Sequence, residues 1–210
     1  MQQLNQGATL QNGKYRIEKV LGQGGFGITY LATQTVLGNK VAIKELFMQG
    51  ICDRQDGLVT VSNNANSNLF DHQKRKFVKE AQRIAGLNNK HIVKVHDMFE
   101  ENNTAYYVMD YIDGESLQDV ITHCHEPLAE SSVKDYLSQI LSALSAMHQN
   151  RIWHLDIKPA NIMLDKNGNI VLIDFGASKQ IESDGTLTVS TSLALTQGFA
   201  APEQLQGTIQ

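Results

Sequence analysis

The run Gly22-Gln23-Gly24-Gly25-Phe26-Gly27 is dense in glycine. With no Cβ in the way, backbone amides at such positions can close on phosphate oxygens. Val41-Ala42-Ile43-Lys44 follows. The alternation that buries Val41 and Ile43 sends Ala42 and Lys44 to the opposite face, under the glycine run. Glu80, within Phe77-Val78-Lys79-Glu80-Ala81, points inward beside Ala81 and Ile84, and an inward carboxylate needs a cation. Lys44 is the economical partner. Further along, Trp153-His154-Leu155-Asp156-Ile157-Lys158-Pro159-Ala160-Asn161 concentrates polar functional groups among hydrophobic neighbours. Ile170-Val171-Leu172-Ile173 leads into Asp174-Phe175-Gly176, and Ala201-Pro202-Glu203 closes the series. A dinucleotide-binding unit shares the glycine spacing but needs a helix directly after the loop. Here Ile28-Thr29-Tyr30-Leu31-Ala32 reads as a strand.

These residues need elements to position them. Short β-branched runs over 15–21, 27–33 and 40–46 predict an antiparallel meander. The Asn-, Ser- and Gly-rich stretch 49–68 is expected to be a loop with no part in a core. Residues 70–87 carry Phe77, Ala81, Ile84 and Ala85 at helical spacing. Strands at 92–99 and 105–109, joined by Glu101-Asn102-Asn103, complete a five-stranded antiparallel sheet with one helix. Past Asp113-Gly114 the pattern turns helical, most clearly over 132–149, where Val133, Tyr136, Leu137, Ile140, Leu144 and Met147 form one apolar face. Strands followed by helices predict an α+β fold in two lobes, 1–112 and 113–210.

The ordered set GxGxFG, VAIK, helical Glu, HxDxKxxN, DFG and APE resembles the protein kinase catalytic domain. The wording GFGITYLA, NTAYYVMDYIDGESL and HLDIKPANIM is similar to the bacterial branch of eukaryotic-like Ser/Thr kinases. The resemblance implies a strand-rich N-lobe with hinge over 1–112 and a partial C-lobe over 113–210. Through it, Lys44 is expected to hold the α- and β-phosphates of ATP and Glu80 to hold Lys44, while Asn161 and Asp174 ligate Mg²⁺. Asp156 would orient the attacking hydroxyl and accept its proton, and Lys158 would stabilise the transferring phosphate. A lysine at that position marks the Ser/Thr rather than the Tyr branch. The ATP site would run from Leu21 through Gly22, Gln23, Gly24, Gly25, Phe26 and Gly27 to Thr29, where the family usually has Val. Ala42 and Met163 would enclose adenine, Asp110 and Ile112 would supply hinge hydrogen bonds, and Met109 would guard the deeper pocket. Ser116 is read either as a ribose contact or as the N-cap of a helix over 117–121.

Two departures from the family pattern stand out. His154-Leu155-Asp156 lacks the arginine that in many members gathers a phosphorylated activation loop, so that route of regulation is expected to be absent. Ser183, Thr186, Thr188, Ser190, Thr191 and Ser192 read as a flexible polar loop. The sequence also stops at Gln210, shortly after APE, whereas the family continues through further helices, one of which supplies an arginine for Glu203. A truncated or fragmentary domain is the expectation, and a nucleotide-binding interaction module without turnover is the rival to a protein kinase. A small-molecule phosphotransferase fits less well, because such enzymes generally lack a peptide-positioning segment.

Composition agrees with a globular chain, with 41% hydrophobic residues. Eighteen basic against twenty-two acidic residues give a charge of −4, which offers no general attraction to nucleic acid or an anionic membrane. The sequence shows neither a signal peptide nor a membrane span. Cys52 and Cys124 are isolated, as suits a reducing cytoplasm. His123-Cys124-His125 lacks the further ligands of a closed zinc site and is expected to be surface loop. His91, His96 and Trp153 are expected to be structural. A protein substrate with a Ser or Thr acceptor is the implied partner.

Overall fold

The computed structural model of the chain describes residues 2–124, 126–176, 179–180, 196 and 198–205. They divide into two units, Met1–Ala85 with Lys94–Tyr111, and Gly86–Val93 with Ile112–Gln210.

The first unit contains β1 (Thr9–Leu10), β2 (Tyr15–Gln23), β3 (Gly27–Gln34), β4 (Lys40–Leu46), β5 (Cys52–Gln55), β6 (Leu58–Val61), α1 (Asn64–Ala85), β7 (Val95–Glu101) and β8 (Thr104–Asp110). Its main sheet is antiparallel in the order β1-β2-β3-β4-β8-β7. The five expected strands are all there, and β1 adds a short sixth. Both faces are covered, so β8 is buried from Thr104 to Met109 and does not show the alternation of a half-exposed strand. On one face Phe77 of α1 packs against Tyr107 with ring centroids 4.9 Å apart. On the other, Phe99 stacks between Tyr15 and Tyr106, at 6.0 and 5.2 Å.

The stretch 49–68 departs from expectation. It is not an unstructured loop: β5 and β6 pair as a hairpin, and Cys52 and Val59 are buried. The first turns of α1 also lie in it. Asn63 Oδ1 accepts the Asn66 amide at 2.9 Å, an N-cap that starts the helix six residues before residue 70. Polar composition concealed both elements, because the hairpin buries few apolar side chains, Cys52 and Val59, beside Arg54, and the helix is started by a capping asparagine.

The second unit holds β9 (Gly114–Ser116), α2 (Leu117–His123), α3 (Glu130–Gln149), β10 (Ile152–Trp153), β11 (Ile162–Asp165), β12 (Ile170–Leu172), β13 (Lys179–Gln180) and α4 (Pro202–Leu205), with a 3-10 turn over Pro159–Asn161. Strands β12, β11 and β9 form one small sheet, and β10 pairs with β13. A Cβ on Gly114 would sit 2.0 Å from the Leu164 carbonyl oxygen, so only glycine permits this approach of β9 to β11. Ser116 is the N-cap of α2, its Oγ accepting the Asp119 amide at 3.1 Å. Residues 92 and 93, expected in a strand of the first unit, instead bridge to Leu172, with Val93 N donating to its carbonyl at 2.9 Å. Pairing inside the second unit outcompetes extension of β7. On α3, Ala143 and Met147 are buried where β10 and β12 cover them, whereas Val133 and Leu137 of the expected apolar face are 47% and 53% exposed.

Candidate active site

In the first unit the strand register brings the expected residues onto one face. Thr29 pairs with Lys44, Lys44 with Tyr107, and Ala42 with Met109, so all five side chains share a side of the sheet. Lys44 Nζ lies 3.3 Å from Glu80 Oε1, with both side chains largely out of solvent. The Tyr107 hydroxyl donates to the same oxygen at 3.0 Å, and its ring lies 5.7 Å from the Lys44 ammonium. Tyr107 went unnoticed in the sequence. Its signal is its place opposite Lys44 on the neighbouring strand.

The glycine run joins β2 to β3. Gly24 N donates to the Gly27 carbonyl at 2.9 Å. A Cβ on Gly27 would come within 2.7 Å of the Glu45 carbonyl oxygen, so that residue must be glycine for the fold. Gly22, Gly24 and Gly25 differ: none has a positive φ, and an added Cβ would meet no described atom within 4 Å. Packing therefore does not demand glycine there, whereas close approach of a ligand to the backbone would. Leu21 and Phe26, flanking and within the run, are 41% and 47% exposed. Asp110 N donates to the Lys94 carbonyl at 3.0 Å, so this amide is already committed. The Asp110 carboxylate meets His96 Nε2 at 2.6 Å, which accounts for His96.

In the second unit Asp156, Lys158 and Asn161 converge. Lys158 Nζ lies 2.8 Å from Asp156 Oδ2, and Asn161 Nδ2 donates to Asp156 Oδ2 and to its carbonyl, each at 2.9 Å. Thr196 completes the cluster: its hydroxyl donates to Asp156 Oδ1 at 2.8 Å and accepts from Lys158 Nζ at 2.7 Å. Nothing in the sequence separates Thr196 from the polar residues before it. Asn161 spends its amide nitrogen on Asp156, which turns its Oδ1 away as an acceptor. The Asp174 carboxylate caps its own turn, accepting Gly176 N at 3.1 Å. A carboxylate and an amide oxygen are hard donors of the kind Mg²⁺ takes, so the residues present fit that ion. Met163 lies on β11, paired with Ser116 on one side and Val171 on the other.

The loop before Asp156 is held under strain. Leu155 has φ 63°, a left-handed conformation that costs a non-glycine residue about 1–3 kcal/mol. Gln204 of α4 fixes it, donating from Nε2 to the Leu155 carbonyl at 2.8 Å while its Oε1 accepts Ala201 N at 3.0 Å. Sequence reasoning gave Gln204 no role. His154 packs its ring 4.9 Å from Phe175 and is 2% exposed. Burial drives its pKa down to about 4, against the pull of Asp174 and Asp156.

Among the described residues no group of three or more His, Cys, Asp or Glu side chains is placed to hold a metal, and Cys124 is exposed; His125 lies outside the described residues. His91 Nδ1 meets the Ile170 carbonyl at 2.8 Å, and Trp153 stacks with His148 at 5.8 Å, both structural uses. Ser183, Thr186, Thr188, Ser190, Thr191 and Ser192 lie outside the described residues, as does the side chain of Glu203. No described helix is long and apolar enough to cross a membrane.

A family model for the protein kinase domain matches residues 15–209. The serine/threonine-protein kinase PrkC of Bacillus subtilis is 36% identical over 196 residues, covering 93% of this chain and 27% of the relative. Serine/threonine-protein kinase D of Synechocystis is 38% identical over 204 residues, covering 92% of this chain and 37% of the relative. The chain thus spans roughly a quarter to a third of the length of these curated relatives. A solved structure described as "PpkA-294 apo form" superposes with a TM-score of 0.79 at 28% identity, covering 84% of this chain and 62% of the other.

Proposed function

The chain belongs to the protein kinase family, and from that premise we propose that it moves the terminal phosphate of MgATP to Ser or Thr hydroxyls of a protein. The observation that carries this reading is the hydroxyl held between Asp156 and Lys158. Thr196 presents an alkyl O–H to the Asp156 carboxylate and its oxygen to the Lys158 ammonium. A Ser or Thr acceptor has the same chemistry and makes the same demands. As its oxygen bonds to the γ-phosphorus and the bond from that phosphorus to the β-phosphate oxygen breaks, its proton passes to Asp156 and ADP leaves. Lys158 offsets the charge on the transferring group.

In the first unit, Lys44 would bind the α- and β-phosphates, held by Glu80 and Tyr107. The open glycines Gly22, Gly24 and Gly25 would let amides reach the phosphates. Thr29, Ala42 and Met109 share the Lys44 face and would pack on adenine, with the Asp110 carbonyl and Ile112 amide as its polar contacts. In the second unit, Asn161 and Asp174 would ligate Mg²⁺ and Met163 would contact the base. The ion, when bound, neutralises phosphate charge. Two unpaired cysteines are compatible with a reducing cytoplasm, which we propose as the location.

The test is phosphorylation of a mixed protein substrate by the purified chain, followed by phosphoamino-acid analysis. Phosphoserine and phosphothreonine are expected, with the rate reduced roughly 10²- to 10⁴-fold in Asp156→Asn. Phosphotyrosine as the sole product overturns the acceptor class, and an undiminished Asp156→Asn overturns the base.

A further inference from the structure

A second charged cluster lies behind Lys44, on the opposite face of β4. Neighbouring residues of a strand face opposite sides, so Glu45 turns away from the Lys44 face, where it is 0% exposed. Three donors meet its carboxylate. The Tyr30 hydroxyl reaches Oε2 at 2.7 Å, the Tyr106 hydroxyl reaches Oε1 at 2.7 Å, and Arg54 Nη2 lies 2.6 and 2.7 Å from the two oxygens. Arg54 comes from the β5–β6 hairpin and its side chain is only 5% exposed. Burial pulls the guanidinium pKa down, but the hydrogen bond and charge of Glu45 outweigh it and the net shift is upward. For the same burial and the nearby Glu45 charge, both tyrosines are pushed well above their ordinary range.

The cluster also reaches residues 2–4. Arg54 Nε donates to the Gln2 carbonyl at 3.0 Å, and the Tyr30 hydroxyl accepts Leu4 N at 3.2 Å. The strap so anchored touches the glycine loop: Gln3 Nε2 donates to Gln23 Oε1 at 2.9 Å, and Gln23 Nε2 reaches Gln2 Oε1 at 3.5 Å. The far arm of the loop is fixed to the chain beyond Glu45, through Phe47 N to the Phe26 carbonyl at 3.2 Å and Gln49 N to the Gly25 carbonyl at 3.0 Å. Gly27 rests against the Glu45 backbone itself.

Phosphate transfer uses none of Glu45, Arg54, Tyr30 or Tyr106. An ion pair so largely buried is a poor way to gain stability, because desolvation consumes much of its attraction, whereas it fixes geometry well. We propose that Arg54 and Glu45 are a positioning pair for nucleotide binding. They lock β4, and with it Lys44 and the glycine loop, while residues 2–4 act as a strap over the loop. This rests on the nucleotide role of Lys44 and Gly22–Gly27 proposed above. ATP affinity then depends on residues whose side chains face away from Lys44.

The test compares the intact chain with Arg54→Lys, Arg54→Met and a deletion of residues 2–4, by amide hydrogen exchange without nucleotide and by MgATP titration. Exchange is expected to quicken about tenfold over 22–27 and 44–47 while residues 143–147 keep their protection. The Kd for MgATP should rise several-fold, least for Arg54→Lys, and strap deletion should add little to Arg54→Met because both act through one network. If Arg54→Met does not fold, the deletion and Arg54→Lys carry the same comparison. Folded variants with unchanged exchange over 22–27 overturn the proposal, as does quickening spread evenly through the first unit with an unchanged Kd. The exchange arm needs no nucleotide, so an intact chain that fails to bind MgATP would count against the proposed function and leave the positioning result to be read separately.

Discussion

The Asp156 carboxylate and the Lys158 ammonium grip one hydroxyl between them, that of Thr196, at 2.8 and 2.7 Å. Each contact is charge-assisted, and such bonds are roughly twice as strong as neutral ones. Thr196→Ala removes the link and frees Lys158 to turn fully onto Asp156, so kcat is expected to fall about tenfold with the KM for ATP little changed. Thr196→Ser, which keeps the hydroxyl, should recover most of the rate. Steady-state kinetics of both variants checks this, and equal losses in the two would remove the hydroxyl from the account.

Lys44 and Glu80 share their contact with Tyr107. Lys44→Met deletes the cation that would meet the phosphates, and a charged hydrogen bond of about 1.5–3 kcal/mol corresponds to roughly 10- to 100-fold in affinity. Tyr107→Phe keeps the ring beside Phe77 and removes the hydroxyl that donates to Glu80 Oε1. It should weaken MgATP binding a few-fold by loosening the carboxylate that holds Lys44. Calorimetric titration of both variants is the measurement, and Tyr107→Phe is expected to lie between the intact chain and Lys44→Met.

Gln204 holds the Leu155 carbonyl from 49 residues further along the chain, in a different element. Gln204→Ala leaves the part-buried carbonyl of Leu155 without this partner, a cost of about 1 kcal/mol at a residue already in the left-handed region. The expected outcome is a lower melting temperature together with a lower kcat, since Asp156 follows Leu155 directly. Gln204→Glu removes the donor at nearly constant volume and should share the kinetic defect.

The parts of this molecule that could be read from sequence are those fixed by local pattern. Alternation placed Lys44 opposite the Val41 and Ile43 face, and period placed Glu80 inward, because both depend only on neighbours along one element. The motif residues Asp156, Lys158 and Asn161 sit within one short loop and were legible for the same reason. Partners far apart in sequence were not. Thr196, Gln204 and Tyr107 act through contacts that span 27 to 49 residues, and their types are common in any loop or strand. The hairpin over Cys52–Val61 was hidden by its polarity. Beside its buried Cys52 and Val59 it is tied down by Arg54, a residue whose ordinary place is the surface and whose burial makes sense only once Glu45 is seen behind Lys44.

His154 supplies a test in pH. Its ring is buried against Phe175, and Nε2 has no hydrogen-bond partner among the described residues. Asp156 N approaches Nδ1 at 3.4 Å, so Nδ1 is the acceptor and the neutral ring carries its proton on Nε2. Burial lowers the pKa from 6.5 to about 4; the Asp174 and Asp156 charges work against this, and Lys158 works with it. Well above pH 6.5 the ring is neutral in both folded and unfolded chains and contributes no pH dependence. As pH falls from 6.5 towards 4, the unfolded chain takes up a proton that the folded chain refuses, so stability declines across that window and the loss is complete below it. The full difference corresponds to about 3 kcal/mol, most of it gone by pH 5. Urea unfolding of the intact chain and of His154→Phe at pH 7 and pH 5 isolates the effect from carboxylates that titrate in the same range. The intact chain should lose about 2 kcal/mol more than the variant over that step, and parallel losses in the two would assign the acid sensitivity to groups other than His154.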